Sequence, residues 1–157
     1  MAEGYFEVIS LVERVHRQFL EIVKLELDGL GIRDINNVQA LMLFNIGDAE
    51  MTVRELNMRG CYLGANVSYN LKKMIENGYV TQRQVPHDRR SIRVKLTDKG
   101  RELAERVSEM HQRHIEMLKE TAVTESDLAE AIRTLKKLER FWMHTSHAAS
   151  AAPSFAA

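Results

Sequence analysis

The sequence predicts a mostly α-helical protein with one small β element set between two runs of helices. Three observations carry that prediction. Apolar residues recur at three- and four-residue steps along most of the 157-residue chain. Capping residues and glycines punctuate those runs at helix-length intervals. Only residues 79–96 switch to the alternating, β-branched pattern of strands. Two prolines and eight glycines leave room for few loops.

Each element has its own signal. A long first helix is expected over Tyr5–Leu30, where Val8, Leu11, Val12, Val15, Phe19, Ile22, Val23 and Leu30 form one stripe that ends near Gly29 or Gly31. Asn36 and Gln39 stand three apart as a capping box, opening an apolar helix Val38–Ile46 stopped by Gly47. Thr52 and Glu55 repeat the device for a two-turn helix to about Arg59. The next helix, Ala65–Asn77, turns Val67, Leu71, Met74 and Ile75 to one side before Gly78 ends it. Tyr79–Thr81 and Ile92–Leu96 read as strands around a polar loop, Arg83–Ser91. Thr97 caps a helix running to about Ala122, and Thr124 with Asp127 opens the last, whose stripe includes Leu128, Ile132, Leu135, Leu138, Phe141 and Trp142. The alanine- and serine-rich segment 148–157 is expected to be a flexible tail.

Composition bounds the function. No apolar run approaches the roughly 20 residues of a membrane helix, and MAEGYFEVIS lacks the basic and apolar regions of a signal peptide. A soluble, cytoplasmic protein with no membrane partner is expected. The single cysteine, Cys61, excludes an intramolecular disulfide and a multi-cysteine metal cluster. With no nucleophile elbow, phosphate-binding glycine loop or informative carboxylate dyad, no enzyme, catalytic residue, metal site or cofactor is expected. The 22 basic and 22 acidic residues cancel. Their distribution does not, because residues 52–101 hold eleven basic and four acidic residues while residues 1–51 hold four and nine. That pattern suits a basic module in an acidic frame as well as an ordinary solvated surface.

Two short helices joined by a tight turn and followed by a two-stranded hairpin make a winged helix-turn-helix, whose second helix enters the major groove. Residues 32–100 would form this DNA-binding lobe, with residues 1–31 and 101–147 as long helices of a dimerisation lobe, all within one domain. Asp88-Arg89-Arg90-Ser91, followed by Val94-Lys95-Leu96-Thr97-Asp98-Lys99-Gly100, resembles the wing and following helix start of MarR-type regulators, as does Leu71–Val80 upstream. Gly64 departs from the pattern, standing where Ser or Thr would begin the recognition helix. The resemblance implies a homodimeric transcriptional regulator, often a repressor released by small aromatic or phenolic compounds. By family position, Ala65, Asn66, Ser68, Tyr69 and Lys72 lie on the recognition helix and Arg89 and Arg90 on the wing.

The chemistry of these residues agrees. Asn66 can make a bidentate contact to adenine or be plainly solvated, and Tyr69 can meet a thymine methyl, a phosphate or the domain's own surface. Lys72 and Lys73 suit electrostatic contact, and Arg89 and Arg90 a minor groove or the DNA backbone, one of them alternatively bracing Asp88. Apolar stripes on the first, fifth and sixth helices exceed what a lobe of about 60 residues can cover, so a second copy is the economical partner, and two-fold symmetry then implies a pseudo-palindromic operator. A small-molecule site is expected where the first, second and fifth helices meet the DNA-binding lobe, with Phe19, Val23, Leu41 and Phe44 as lining and His16 for an anionic group; core packing is the plainer role of each. Cys61 allows redox sensing or simple burial. His111 with His114, and His144 with His147, have metal-compatible spacing, but without a third ligand they read as solvated or interface histidines.

Overall fold

Local stop signals set the corners of the fold. In the computed structural model the described residues are 1–60 and 64–151, with side chains described outside 60–65, 88–90 and 146–151. The first helix, α1 (Ala2–Gly29), ends where Gly31 turns to φ 69°. The Gly31 N–H donates to Asp28 O at 3.1 Å and the Ile32 N–H to Leu27 O at 3.0 Å, the paired bonds of a Schellman motif. Helix α2 (Asn37–Ile46) opens with the expected capping box, in which the Gln39 N–H donates to Asn36 Oδ1 at 2.9 Å and the Asn36 N–H to Gln39 Oε1 at 3.1 Å. Its Ala40, Met42, Leu43 and Ile46 are fully buried, so α2 is the centre of the core.

Strand β1 (Met51–Thr52) leads into α3 (Val53–Gly60), where the Glu55 N–H donates to Thr52 Oγ1 at 3.1 Å and the Thr52 N–H to Glu55 Oε2 at 2.6 Å. Helix α4 (Gly64–Glu76) begins one residue before the expected Ala65. It ends in a second Schellman motif: the Gly78 N–H donates to Ile75 O, the Tyr79 N–H donates to Met74 O at 2.8 Å, and Gly78 takes φ 78°. Strands β2 (Val80–Val85) and β3 (Asp88–Leu96) follow, then α5 (Asp98–Lys119) and α6 (Glu125–Ala151).

Two sequence expectations about the β region need correction. The strands are longer than Tyr79–Thr81 and Ile92–Leu96, and the expected loop Arg83–Ser91 shrinks to Pro86 and His87. Its polar residues are strand because the ladder continues through Arg83↔Arg93 and Gln84↔Ile92 before a bulge brings Val85 opposite Asp88. The sheet also has a third strand, since β1 pairs antiparallel with β3 at Met51↔Val94, giving the order β1-β3-β2. At the far end, α6 continues to Ala151, four residues into the segment expected as tail, while residues 152–157 lie outside the described set.

Residues 1–112 and 113–157 form two compact units. In the first, Val23 and Leu27 of α1, the buried face of α2, Val67, Leu71 and Met74 of α4, Val94 and Leu96 of β3, and Leu103, Val107 and Met110 of α5 share one core. In the second, Thr124 and Asp127 close a capping box, with the Asp127 N–H donating to Thr124 Oγ1 at 3.2 Å. Leu128, Ile132, Leu135 and Phe141 on α6 remain exposed.

The tightest joint lies where α5 begins. The Tyr79 carbonyl accepts the Thr97 N–H at 3.0 Å, and a Cβ on Gly100 would stand 2.1 Å from that same oxygen. Gly100→Ala therefore forces two backbones apart, and it is expected to cost about 2–4 kcal/mol even though alanine favours helix by about 1 kcal/mol. The check is urea unfolding. An unaltered midpoint at constant slope would refute the contact.

Candidate nucleic-acid interface

Helix α4 is seated by Val67, Leu71 and Met74, spaced four and three residues apart and almost completely buried. The same periodicity turns Asn66, Ser68, Tyr69 and Lys72 outward, with Tyr69 60% exposed, so four of the five residues placed on the recognition helix form one exposed strip. The fifth, Ala65, has its backbone in α4 and its side chain outside the described residues. Lys73 differs from its neighbour. It is half-buried, and its ammonium donates to Glu76 at 3.1 Å, a bond that raises its pKa from the ordinary lysine value; Lys72 stands 4.0 Å from the same carboxylate. Arg89 and Arg90 lie on β3 just past the Pro86–His87 turn, but their side chains, like Cys61, fall outside the described residues.

A brace holds this strip against the rest of the lobe. The Tyr79 hydroxyl donates to Asp34 Oδ1 at 2.6 Å, and Lys99 Nζ donates to Asp34 Oδ2 at 2.6 Å and to the Asn77 carbonyl at 2.9 Å while lying 4.1 Å from the centroid of the Tyr79 ring. Asn77 Nδ2 closes the circuit on the Asp34 carbonyl at 2.5 Å. Asp34 precedes α2, Asn77 and Tyr79 follow α4 and Lys99 opens α5, so three elements meet at one residue. Lys99, then Tyr79, hold the Asp34 carboxyl below its ordinary pKa, while burial and that same carboxylate push the Tyr79 phenol far up.

The charge pattern takes a more specific form than a basic module inside an acidic frame. Two acids of the N-terminal third sit within the lobe itself, Asp34 on Lys99 and Glu50 on Arg83. The Arg83 guanidinium grips Glu50 through both Nε and Nη2, the second at 2.7 Å, and this pairing lowers the Glu50 pKa. Arg83 faces Arg93 across the ladder and Thr81 faces Lys95, so Arg83, Arg93 and Lys95 share the sheet face opposite Val94. Reading Arg83 as loop hides its place on this face, whereas the alternation over Ile92–Leu96 already carries Arg93 and Lys95.

The residues proposed for an effector fall into three environments. Phe19 and Phe44 converge on His111, a residue the sequence did not place at the effector site: its ring stacks on Phe44 at 4.8 Å and lies 5.8 Å from Phe19. Its Nδ1 meets the Val107 carbonyl at 2.8 Å. Val23 is core and Leu41 half-buried against it, whereas His16 is exposed one turn before Phe19. Phe44 borders a cavity of about 210 Å³, with Arg101, Ala104 and Ser108 among its walls. Among the described residues no three metal-ligating side chains cluster, and no helix is long and apolar enough to cross a membrane.

This geometry has counterparts in known proteins. Residues 35–100 match the model of a winged helix DNA-binding domain. The exopolysaccharide II synthesis transcriptional activator ExpG of Rhizobium meliloti is 36% identical over 138 residues, spanning 88% of this chain and 71% of that protein. The Streptococcus pneumoniae regulator FabT, solved with DNA, superposes with a TM-score of 0.70 at 21% identity, covering 90% of this chain and 99% of that one. Staphylococcus aureus MarR, solved with salicylate and kanamycin, gives 0.69 at 22% identity, covering 89% and 93%. A reading helix beside a β-hairpin, matched in this way, defines a winged-helix DNA-binding protein. Within that class the chain belongs to the transcriptional-regulator family of ExpG, and its fold is that of the MarR structures.

The Asp34 brace gives a pH-dependent expectation. A carboxylate whose folded pKa is lowered adds stability above its unfolded value, about 3.9, and loses that contribution as pH falls through the folded one. Lys99→Met should therefore be less stable than the parent near pH 6, by under about 1 kcal/mol for such a half-exposed pair, with the gap closing below about pH 4. Denaturant titrations from pH 3 to 7 test this. A gap constant across that range would remove Asp34 from the brace.

Proposed function

We propose that the protein acts in the cytoplasm as a homodimer that sets α4 of each protomer into successive major grooves of a pseudo-palindromic operator, with its DNA affinity modulated by a small aromatic or phenolic ligand. The observation that carries this reading is the exposed strip Asn66, Ser68, Tyr69 and Lys72 on a helix whose opposite face is locked into the core. Asn66 is the base-reading candidate, because its amide can donate to and accept from one adenine edge. Ser68, Tyr69, Lys72 and Lys73, with Ala65 at close approach, complete the groove face, while Arg89 and Arg90 serve the flanking backbone or minor groove.

Support for the dimer is the apolar surface each unit leaves uncovered. Phe6, Leu11 and Val15 on α1 are about half exposed or more, as are Ile132 and Phe141 on α6. A second copy of the chain is the partner proposed for these surfaces. Support for the ligand is the meeting of Phe19, Phe44 and His111, with His16, Val23 and Leu41 close in sequence, and a MarR structure that names salicylate. The sense of regulation follows the 36% identical relative, which is described as an activator.

Three measurements test these statements. Sedimentation equilibrium should return twice the 18.0 kDa chain mass, and a monomer at micromolar concentration would refute the dimer. Replacing Arg89 and Arg90 together with Ala should weaken binding to every duplex and flatten the dependence of log K on log salt by about 2 per protomer; an unchanged slope removes the wing from DNA contact. Salicylate titrated into a protein–operator complex should shift the affinity at least several-fold. If neither it nor related phenolic acids do so, the protein binds DNA constitutively.

A further inference from the structure

Gln39 is the one buried polar residue of the described core, 5% exposed, and its amide works in two directions at once. Its Oε1 accepts the Asn36 N–H within the α2 cap, and its Nε2 donates to Asn70 Oδ1 on α4 at 3.1 Å. Asn70 Nδ2 in turn donates to the Asn66 carbonyl at 2.8 Å, one turn back along α4. The polarity of this line is fixed. Flipping the Gln39 amide would set donor against the Asn36 N–H and acceptor against Asn70 Oδ1, and burial keeps water from substituting. At the other end, Asn37 Nδ2 donates to the Leu20 carbonyl of α1 at 3.0 Å.

The last link bears on DNA reading. A side chain bonding to the carbonyl four residues back adds a second donor to a helix-ladder acceptor and biases the local bend of the helix. Here the acceptor belongs to Asn66, in the turn that also carries Ser68 and Tyr69. We propose that Gln39 and Asn70 are positioning residues for sequence recognition: without touching DNA, they set the pitch at which the first turns of α4 meet base edges. The inference rests on α4 being the groove-reading helix. Recognition of a base edge needs donors and acceptors placed to a few tenths of an ångström, whereas phosphate contacts made by long cations tolerate more, so loosening this line costs discrimination before it costs general affinity.

Two variants separate the line from the cap. Gln39→Glu keeps the acceptor for the Asn36 N–H but turns the α4-facing donor into an acceptor, and Asn70→Ala removes the far end in a residue that favours helix. Binding is measured by anisotropy on a duplex selected from a random pool with the parent protein and on a shuffled duplex of equal composition, with thermal midpoints alongside. Each variant should lose about tenfold on the selected duplex, the scale of one base contact, and less than about twofold on the shuffled one, at an unchanged salt slope. The double variant should lose no more than either single, because both break one link. Equal losses on both duplexes, additive losses, or undiminished affinity for the selected duplex would overturn the positioning role. A parent protein that does not distinguish the two duplexes would overturn sequence-specific reading by α4, and this inference with it.

Discussion

The Tyr79 backbone carbonyl is the point on which the DNA-binding lobe closes. It accepts the Thr97 N–H and lies against the bare Cα of Gly100, while Thr97 Oγ1 donates to the preceding Gly78 carbonyl at 2.7 Å and accepts the Gly100 N–H at 3.1 Å. The end of α4, the start of β2, the end of β3 and the start of α5 are thereby joined within a few residues. Strand register follows from this joint. With Val80 held opposite Leu96, both side chains face the core, and a slip of one residue would send Val94 and Leu96 to solvent and bring Arg93 and Lys95 inward. The wing's position relative to α4 is thus set at its base, and the tip is free to be polar.

That constraint explains how a chain of zero net charge serves an anionic partner. Acids are not segregated from the lobe; they are used inside it as clamps on cations that hold structure, Asp34 on Lys99 and Glu50 on Arg83. Glu50 also relieves a like-charge pair, since Arg83 and Arg93 are direct cross-strand partners. On α4, Glu76 holds Lys73 closely and Lys72 at the limit of an ion pair. Cations in the lobe therefore divide into those spent on architecture and those left for solvent, a division that a charge count cannot show.

Much of this was legible in the sequence where the determining interaction is local. Both Schellman glycines and all three capping boxes depend on residues within five positions of each other, and each forms where the spacing indicates. The burial of Val67, Leu71 and Met74 is equally local, and it turns Asn66, Ser68, Tyr69 and Lys72 of α4 outward. Legibility fails where the partner is distant. Two-residue β1 has no alternation to read and exists only because Val94 lies opposite Met51. The hairpin's polar residues look like loop because ladder pairing, not hydrophobicity, makes them strand. His111 becomes the companion of Phe19 and Phe44 only after α1, α2 and α5 converge, and Gln39 reads as a cap because its second contact is 31 residues away.

Those non-local contacts share one element, and its mechanics follow from its burial. Helix α2 carries Gln39 near its start and Leu41 and Phe44 further on, and its fully buried Ala40, Met42, Leu43 and Ile46 leave it little freedom to bend, since a close-packed core resists deformation within an element more than displacement of the whole. The Gln39–Asn70 hydrogen bond ties α2 to α4, and the Asn37–Leu20 hydrogen bond ties it to α1. The amide line and the aromatic cluster are two attachments to one rigid ten-residue rod.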